Sequence, residues 1–276
     1  MDVATMLSII KRQKWIRNLV FSDIGRNSMQ LLELLIGGGR FRRSITRKLL
    51  SSQYRSKFRR DWVWAKNPPH FSDNEAYESV FSNYRNAAYL FHRGLLNVEL
   101  LQKGDRMLDI GCGDGFNDYR FYSHKCKLIE AIDIEPSAIT YAKAHNHAKN
   151  INYILQDAVN QPFPSKKYDV IVWDGAIGHF PAETTETMLN KIVNALEAEG
   201  VFTGSESLGH EEGHDHLQFF ESIHDFGEML KKHFSYVSLR ETNYPISEYS
   251  SFIRREAYWR CSNSKKYKER FGWVEV

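Results

Sequence analysis

The stretch Met107-Leu108-Asp109-Ile110-Gly111-Cys112-Gly113-Asp114-Gly115-Phe116 constrains this chain more than any other. The apolar run ending at Ile110 reads as a buried parallel strand, and alternating glycines let the following turn fold tightly against a ligand with no Cβ in the way. Strand, glycine turn and helix start follow in order, as in open α/β sheets that bind ligands at the carboxyl ends of their strands. The dinucleotide fingerprint needs a glycine at its sixth place, counted from Gly111, and that place holds Phe116. No basic residue stands in the turn to meet a pyrophosphate, so a phosphate cradle is the poorer reading.

Two further acids stand where an adenosine needs them. Lys127 to Asp133 reads as a second strand, and Asp133 at its end lies 22 residues beyond Gly111, where a carboxylate accepts both ribose hydroxyls. Ile134 then lies against the adenine. Pro136 to His145 follows as a helix with proline near its start. A third strand ends at Gln156-Asp157, where Asp157 accepts a hydrogen bond from the adenine amino group beside the backbone of Ala158. Taken singly, Asp109 is a turn cap, Asp133 a strand-end carboxylate and Asp157 a loop acid; their order makes them a pocket.

That order is the glycine turn, Ala131-Ile132-Asp133-Ile134, Leu155-Gln156-Asp157-Ala158, and then Tyr168-Asp169-Val170-Ile171-Val172-Trp173-Asp174-Gly175. Over about residues 100 to 262 it resembles the class I S-adenosylmethionine-dependent methyltransferase family. The resemblance implies a Rossmann-like, doubly wound α/β sheet of seven strands with a C-terminal antiparallel pair. It implies S-adenosylmethionine as methyl donor, held by Asp109, Gly111, Gly113, Gly115, Asp133, Ile134, Asp157, Ala158 and Asp174. The antiparallel pair is expected as a hairpin of Tyr236 to Thr242 and Ser250 to Cys261, turning at Asn243-Tyr244-Pro245-Ile246.

The 276 residues and 42% hydrophobic content suffice for one large α/β domain and an appendage. A helical, basic extension with an acceptor lid is expected over 1–98 and the catalytic domain over 99–276. Three unpaired cysteines, no secretory signal and no long apolar run point to a reducing, cytoplasmic setting. Cys112 reads as a small packing residue.

The net charge of +3 is unevenly spread. Residues 1 to 60 hold 14 Lys and Arg against 3 acids, a balance of +11, leaving 3 − 11 = −8 for the rest. Three readings stay open for this arm: peripheral contact with anionic membrane, a helical cap with a solvated basic face, and nucleic-acid binding or an organellar presequence.

The acceptor side is read from three places. Trp62, Trp64 and Tyr84 lie in an aromatic stretch before the first strand, suited to stacking on a sugar or planar acceptor. Asn67-Pro68-Pro69 is followed by His70 and precedes the glycine turn, which disfavours exocyclic base amines as acceptors. His179 follows strand four and reads as acceptor contact or helix cap. The fifth strand, Gly200 to Glu206, opens into a loop carrying His210, His214 and His216, before a helix expected from Leu217 to Phe234. If the acceptor is a hydroxyl, one histidine serves as general base, with Glu206 or Asp215 fixing its tautomer. A second reading makes His214-Asp215-His216 a divalent-metal site with Glu206, Glu211 and Asp174; a third makes the loop merely polar.

The chain is therefore expected to methylate a small molecule or glycan, on oxygen ahead of nitrogen. The alternatives are a nucleic-acid methyltransferase or binding module that uses the basic arm, and a non-catalytic S-adenosylmethionine binder.

Overall fold

The structure is a computed structural model that describes residues 88–209, 216–245 and 253–266. Trp62, Trp64, Tyr84, His210, His214 and the basic arm of residues 1–60 lie outside the described residues.

The chain forms α1 (Ala88–Leu100), β1 (Arg106–Ile110), a π-helical turn (Asp118–Tyr122), β2 (Leu128–Asp133), α2 (Pro136–His145) and β3 (Ile151–Leu155). It continues through β4 (Tyr168–Asp174), a 3-10 turn (Ile177–His179), α3 (Ala182–Ala195), β5 (Leu196–Leu208), α4 (Ile223–Lys231), β6 (Tyr236–Pro245) and β7 (Ile253–Ser262). The strands form one sheet in the order β3-β2-β1-β4-β5-β7-β6. β1 to β5 pair in parallel, and β7 runs antiparallel to both β5 and β6. The order reverses between β1 and β4, which opens a crevice beyond their carboxyl ends.

The apolar runs are continuous because both faces of the sheet are covered. Met107, Val170 and Val172 pack on the side of α2 with Ile139 and Ala142. Leu108, Ile110, Ile171 and Trp173 pack on the other side with Met188, Leu189 and Ile192 of α3 and Phe226 of α4. Each such side chain contributes about 1.5–3 kcal/mol of burial. Asp109 shares the face of Met107, which turns its carboxylate toward the π-helical turn.

α1 runs across the expected boundary at residue 98. Its C-terminal turn is tied to β7 by buried Arg260, whose Nη2 donates to the Leu96 carbonyl at 2.7 Å and to Glu99 Oε2 at 2.9 Å. A cation there also complements the negative end of the helix dipole.

Four local expectations shift. The expected helix over 217–234 is confined to α4, because Ser222 caps it by accepting from the Asp225 N–H. β5 begins at Leu196, ahead of the expected Gly200. Asn243 to Pro245 extend β6 instead of turning, since they pair with Arg255 to Ile253. Beyond the glycine turn the first helical element is a single π-helical turn, which buries Asp118 and Tyr122.

Candidate active site

A cavity of about 780 Å³ opens at the reversal point. At its donor end, Gly111, Gly113 and Gly115 take φ of 73°, 54° and 71°, a region that favours glycine. A Cβ on Gly113 would meet nothing within 4 Å, so the turn presents bare backbone to the cavity. Asp133 locks this turn: Oδ2 accepts from the Gly113 N–H at 2.8 Å and Oδ1 from the Glu135 N–H at 2.8 Å. Burial raises its pKa against those hydrogen bonds. Ile134 beside it is 68% exposed, an uncovered apolar flank at the mouth.

Asp157 closes a local turn, its Oδ1 accepting from the Val159 N–H at 2.9 Å and its Oδ2 from Asn160 Nδ2 at 2.7 Å, and these bonds hold its pKa down. The Ala158 carbonyl accepts from Lys191 Nζ at 2.5 Å. Asp174, at the end of β4, accepts from Asn97 Nδ2 at 2.7 Å and Ser205 Oγ at 2.9 Å. Burial pushes its pKa up to about 6, opposed by the charge of Arg93.

Behind Asp109 stands a second carboxyl. Asp118 is fully buried and neither oxygen finds a donor, while Asp109 is buried beside it. Two buried carboxyls side by side, with no donor for Asp118, favour the protonated form. Burial pushes Asp118 up to about 7 and Asp109 well above the carboxylate range, with the charges of Asp118 and Asp174 adding at Asp109 and those of Asp114 and Asp174 at Asp118. The thiol of Cys112 is raised by burial and by the same acids, which suits packing and not nucleophilic attack.

At the acceptor end, Glu206 bonds backbone among the described residues. Its Oε2 accepts from the Gly178 N–H at 3.0 Å and its Oε1 from the Ser207 N–H at 2.9 Å, which anchors the 3-10 turn to β5. The turn in turn positions His179, whose ring meets that of His216 edge-on at 4.7 Å. His216 packs on Gly178, where a Cβ would lie 2.7 Å from its Nδ1. Both histidines line the cavity. Among the described residues no group of three His, Cys, Asp or Glu is arranged to hold a metal ion.

The structure thus brings Asp109, Gly111, Gly113, Asp133, Ile134, Asp157, Ala158, Asp174, His179, Glu206 and His216 to one cavity wall. Gly115 lies behind it, packed on Tyr153. Sequence reasoning missed Arg93, Asn97, Asp118, Arg254 and Glu256. Arg93 and Asn97 follow the aromatic Tyr89 at four-residue spacing on α1, and that polar stripe beside buried leucines was the available signal.

S-adenosylmethionine fits this donor set. Asp109, Asp133, Glu135, Asp157 and Asp174 line the cavity and suit a ligand that carries a sulfonium and an ammonium. The buried Asn117 Oδ1, which has no donor, lines it too. A pyrophosphate would meet only repulsion from these carboxylates.

A sequence profile for a methyltransferase domain matches residues 107–200. Malonyl-[acyl-carrier protein] O-methyltransferase of Acetivibrio thermocellus is 28% identical over 148 residues, 51% of this chain and 48% of that protein. Phthiotriol/phenolphthiotriol dimycocerosates methyltransferase of Mycobacterium leprae is 25% identical over 113 residues, 41% of this chain and 40% of that protein. The chain thus spans less than half the length of either relative. The YcgJ protein of Bacillus subtilis shares the fold, with a TM-score of 0.53 at 14% identity over 63% of this chain and 99% of its own. Fold, glycine turn, ordered acids and profile agree: residues 107–200 belong to a class I S-adenosylmethionine-dependent methyltransferase domain with a Rossmann-like fold.

Proposed function

We propose that this chain transfers a methyl group from S-adenosylmethionine to a hydroxyl oxygen of a small-molecule acceptor, a glycan among them, with His216 as general base. The observation that carries the reading is that one cavity joins the Gly111–Gly113 backbone and Asp133 to the His179–His216 pair. Bound there, the cofactor supplies an electrophilic methyl whose bond electrons return to sulfur.

The chain's own residues do the rest. Asp133 and the glycine turn fix the donor end, and Asp109 and Asp174 offer carboxyl oxygens to the cationic end. His216 accepts the hydroxyl proton as the oxygen–carbon bond forms, a task for which an imidazole suits neutral pH. His179 holds the acceptor against the 3-10 turn that Glu206 anchors. The A. thermocellus relative is an O-methyltransferase by name, in keeping with an oxygen acceptor.

Incubation of the full chain with deuterium-methyl S-adenosylmethionine and pools of hydroxylated small molecules and glycans tests this. Mass spectrometry is expected to find products heavier by one labelled methyl, bonded to oxygen. Tight cofactor binding with no labelled product in any pool would leave a non-catalytic binder instead.

A further inference from the structure

We propose that the acceptor carries an anionic group, a carboxylate or a phosphate, seated on the guanidinium of Arg93 beside Arg254. The inference rests on the methyl-transfer reading above and names its substrate class. Arg93 stands on α1 and Arg254 on β7, and both line the cavity that holds His179 and His216. Their guanidinium carbons lie 4.8 Å and 4.0 Å from the centroid of the Tyr89 ring. Glu256, with no exposure, joins them: Oε1 accepts from Arg93 Nε at 2.8 Å and from Nη2, and Oε2 accepts from Arg254 Nε at 2.8 Å.

That leaves Nη1 of Arg93. It stands 2.5 Å from where a Cβ of Gly175 would lie, directly beyond the end of β4, and only glycine leaves it that room. Among the described residues no hydrogen bond engages it, although Arg93 is only 9% exposed. A guanidinium has five donors and does not deprotonate, so a buried one with an unfilled edge on a cavity awaits an acceptor of hydrogen bonds. Carboxylate and phosphate match that edge best in charge and in spacing.

The test uses the full chain, deuterium-methyl S-adenosylmethionine and a cell extract of small molecules, with labelled products separated by anion exchange. The labelled product is expected to stay on the resin until salt releases it. Arg93→Lys, which keeps the charge and loses the fork, and Arg254→Met are expected to raise KM for that acceptor about tenfold or more, the usual effect of losing a charge-assisted hydrogen bond. Their affinity for S-adenosylhomocysteine should stay within about twofold of the wild type, the scatter of an uninvolved site.

A labelled product that passes through the resin uncharged overturns the inference and leaves methyl transfer standing. So does an unchanged KM in folded variants, which makes the cluster only structural. Arg93→Lys that weakens S-adenosylhomocysteine but not 5′-methylthioadenosine, which lacks the amino acid end, would assign Arg93 to the cofactor's carboxylate and overturn it too. No labelled product at all, with S-adenosylhomocysteine still bound, removes the methyl-transfer reading and the inference with it.

Discussion

The donor half of the cavity comes from one continuous run of chain, Asp109 to Asp174, whereas the acceptor half gathers Tyr89 and Arg93 from α1, His179 from the 3-10 turn, His216 from the loop beyond β5, and Arg254 and Glu256 from β7. Arg93 and Glu256 are 163 residues apart in sequence and hydrogen-bonded in space. The donor half depends on backbone conformation and strand ends, which local residue types dictate. The acceptor half depends on the sheet order, which inserts β7 between β5 and β6 and so carries Glu256 to α1. A donor site can therefore stay constant while the acceptor corner is rebuilt from distant elements.

The largest expected effect separates the halves by chemistry. His216→Ala should lower kcat by about 10²–10⁴, the usual contribution of a general base, while S-adenosylhomocysteine binds as before. Steady-state kinetics beside calorimetry checks both. Loss of cofactor binding in this variant would erase the division between halves. Asp133→Ala should act the other way, weakening S-adenosylhomocysteine by about 100-fold, since hydrogen bonds to a charged group are worth about 1.5–3 kcal/mol each and the Gly113 N–H loses its anchor as well. An unchanged dissociation constant would remove Asp133 from the donor site.

A third test sharpens the donor half alone. The Asp109–Asp118 pair keeps a proton in the folded chain that the unfolded chain releases near pH 4. With more protons bound to the native state between about pH 4 and 7, the pair's contribution to stability falls as pH rises through that window. In Asp118→Asn the amide donates to Asp109 without a proton. Denaturant melts at pH 5 and pH 8 should then show the wild type losing more stability than the variant over that span, by a few kcal/mol at about 1.4 kcal/mol per pKa unit. Parallel losses in the two proteins would contradict the shared proton.

The smallest effect concerns the seam between the halves. Gly175 has φ of 60° and faces Arg93, so Gly175→Ala should cost about 1–2 kcal/mol from the left-handed backbone alone. It should also raise acceptor KM by crowding Nη1. Thermal melts with acceptor kinetics measure both, and a neutral substitution would mean that Arg93 has room to spare.

What could be read from sequence follows the same division. The placement of Gly111 to Gly115, Asp133 and Asp157 at the cavity was legible because it follows from positive φ and from the ends of apolar runs, which are local properties. The seven strands and the antiparallel pair were legible from the same runs, although β6 reaches Pro245 because pairing with β7 outweighs the turn tendency of Asn243 and Pro245. Glu206 was seen as a site residue, but its partner, the Gly178 N–H, is 28 residues away and visible only once β4 and β5 lie side by side. Asp118 looked like an ordinary helix-start acid. Only the π-helical turn, which buries it against Asp109, gives it a role.

The most direct test of the central claim is calorimetric titration of the full chain with S-adenosylhomocysteine and, separately, with NAD. The cavity predicts one saturable site for S-adenosylhomocysteine, abolished or greatly weakened in Asp133→Ala, and no binding of NAD, whose pyrophosphate would meet the carboxylates around the glycine turn. Binding of NAD with none of S-adenosylhomocysteine would contradict the account at its root.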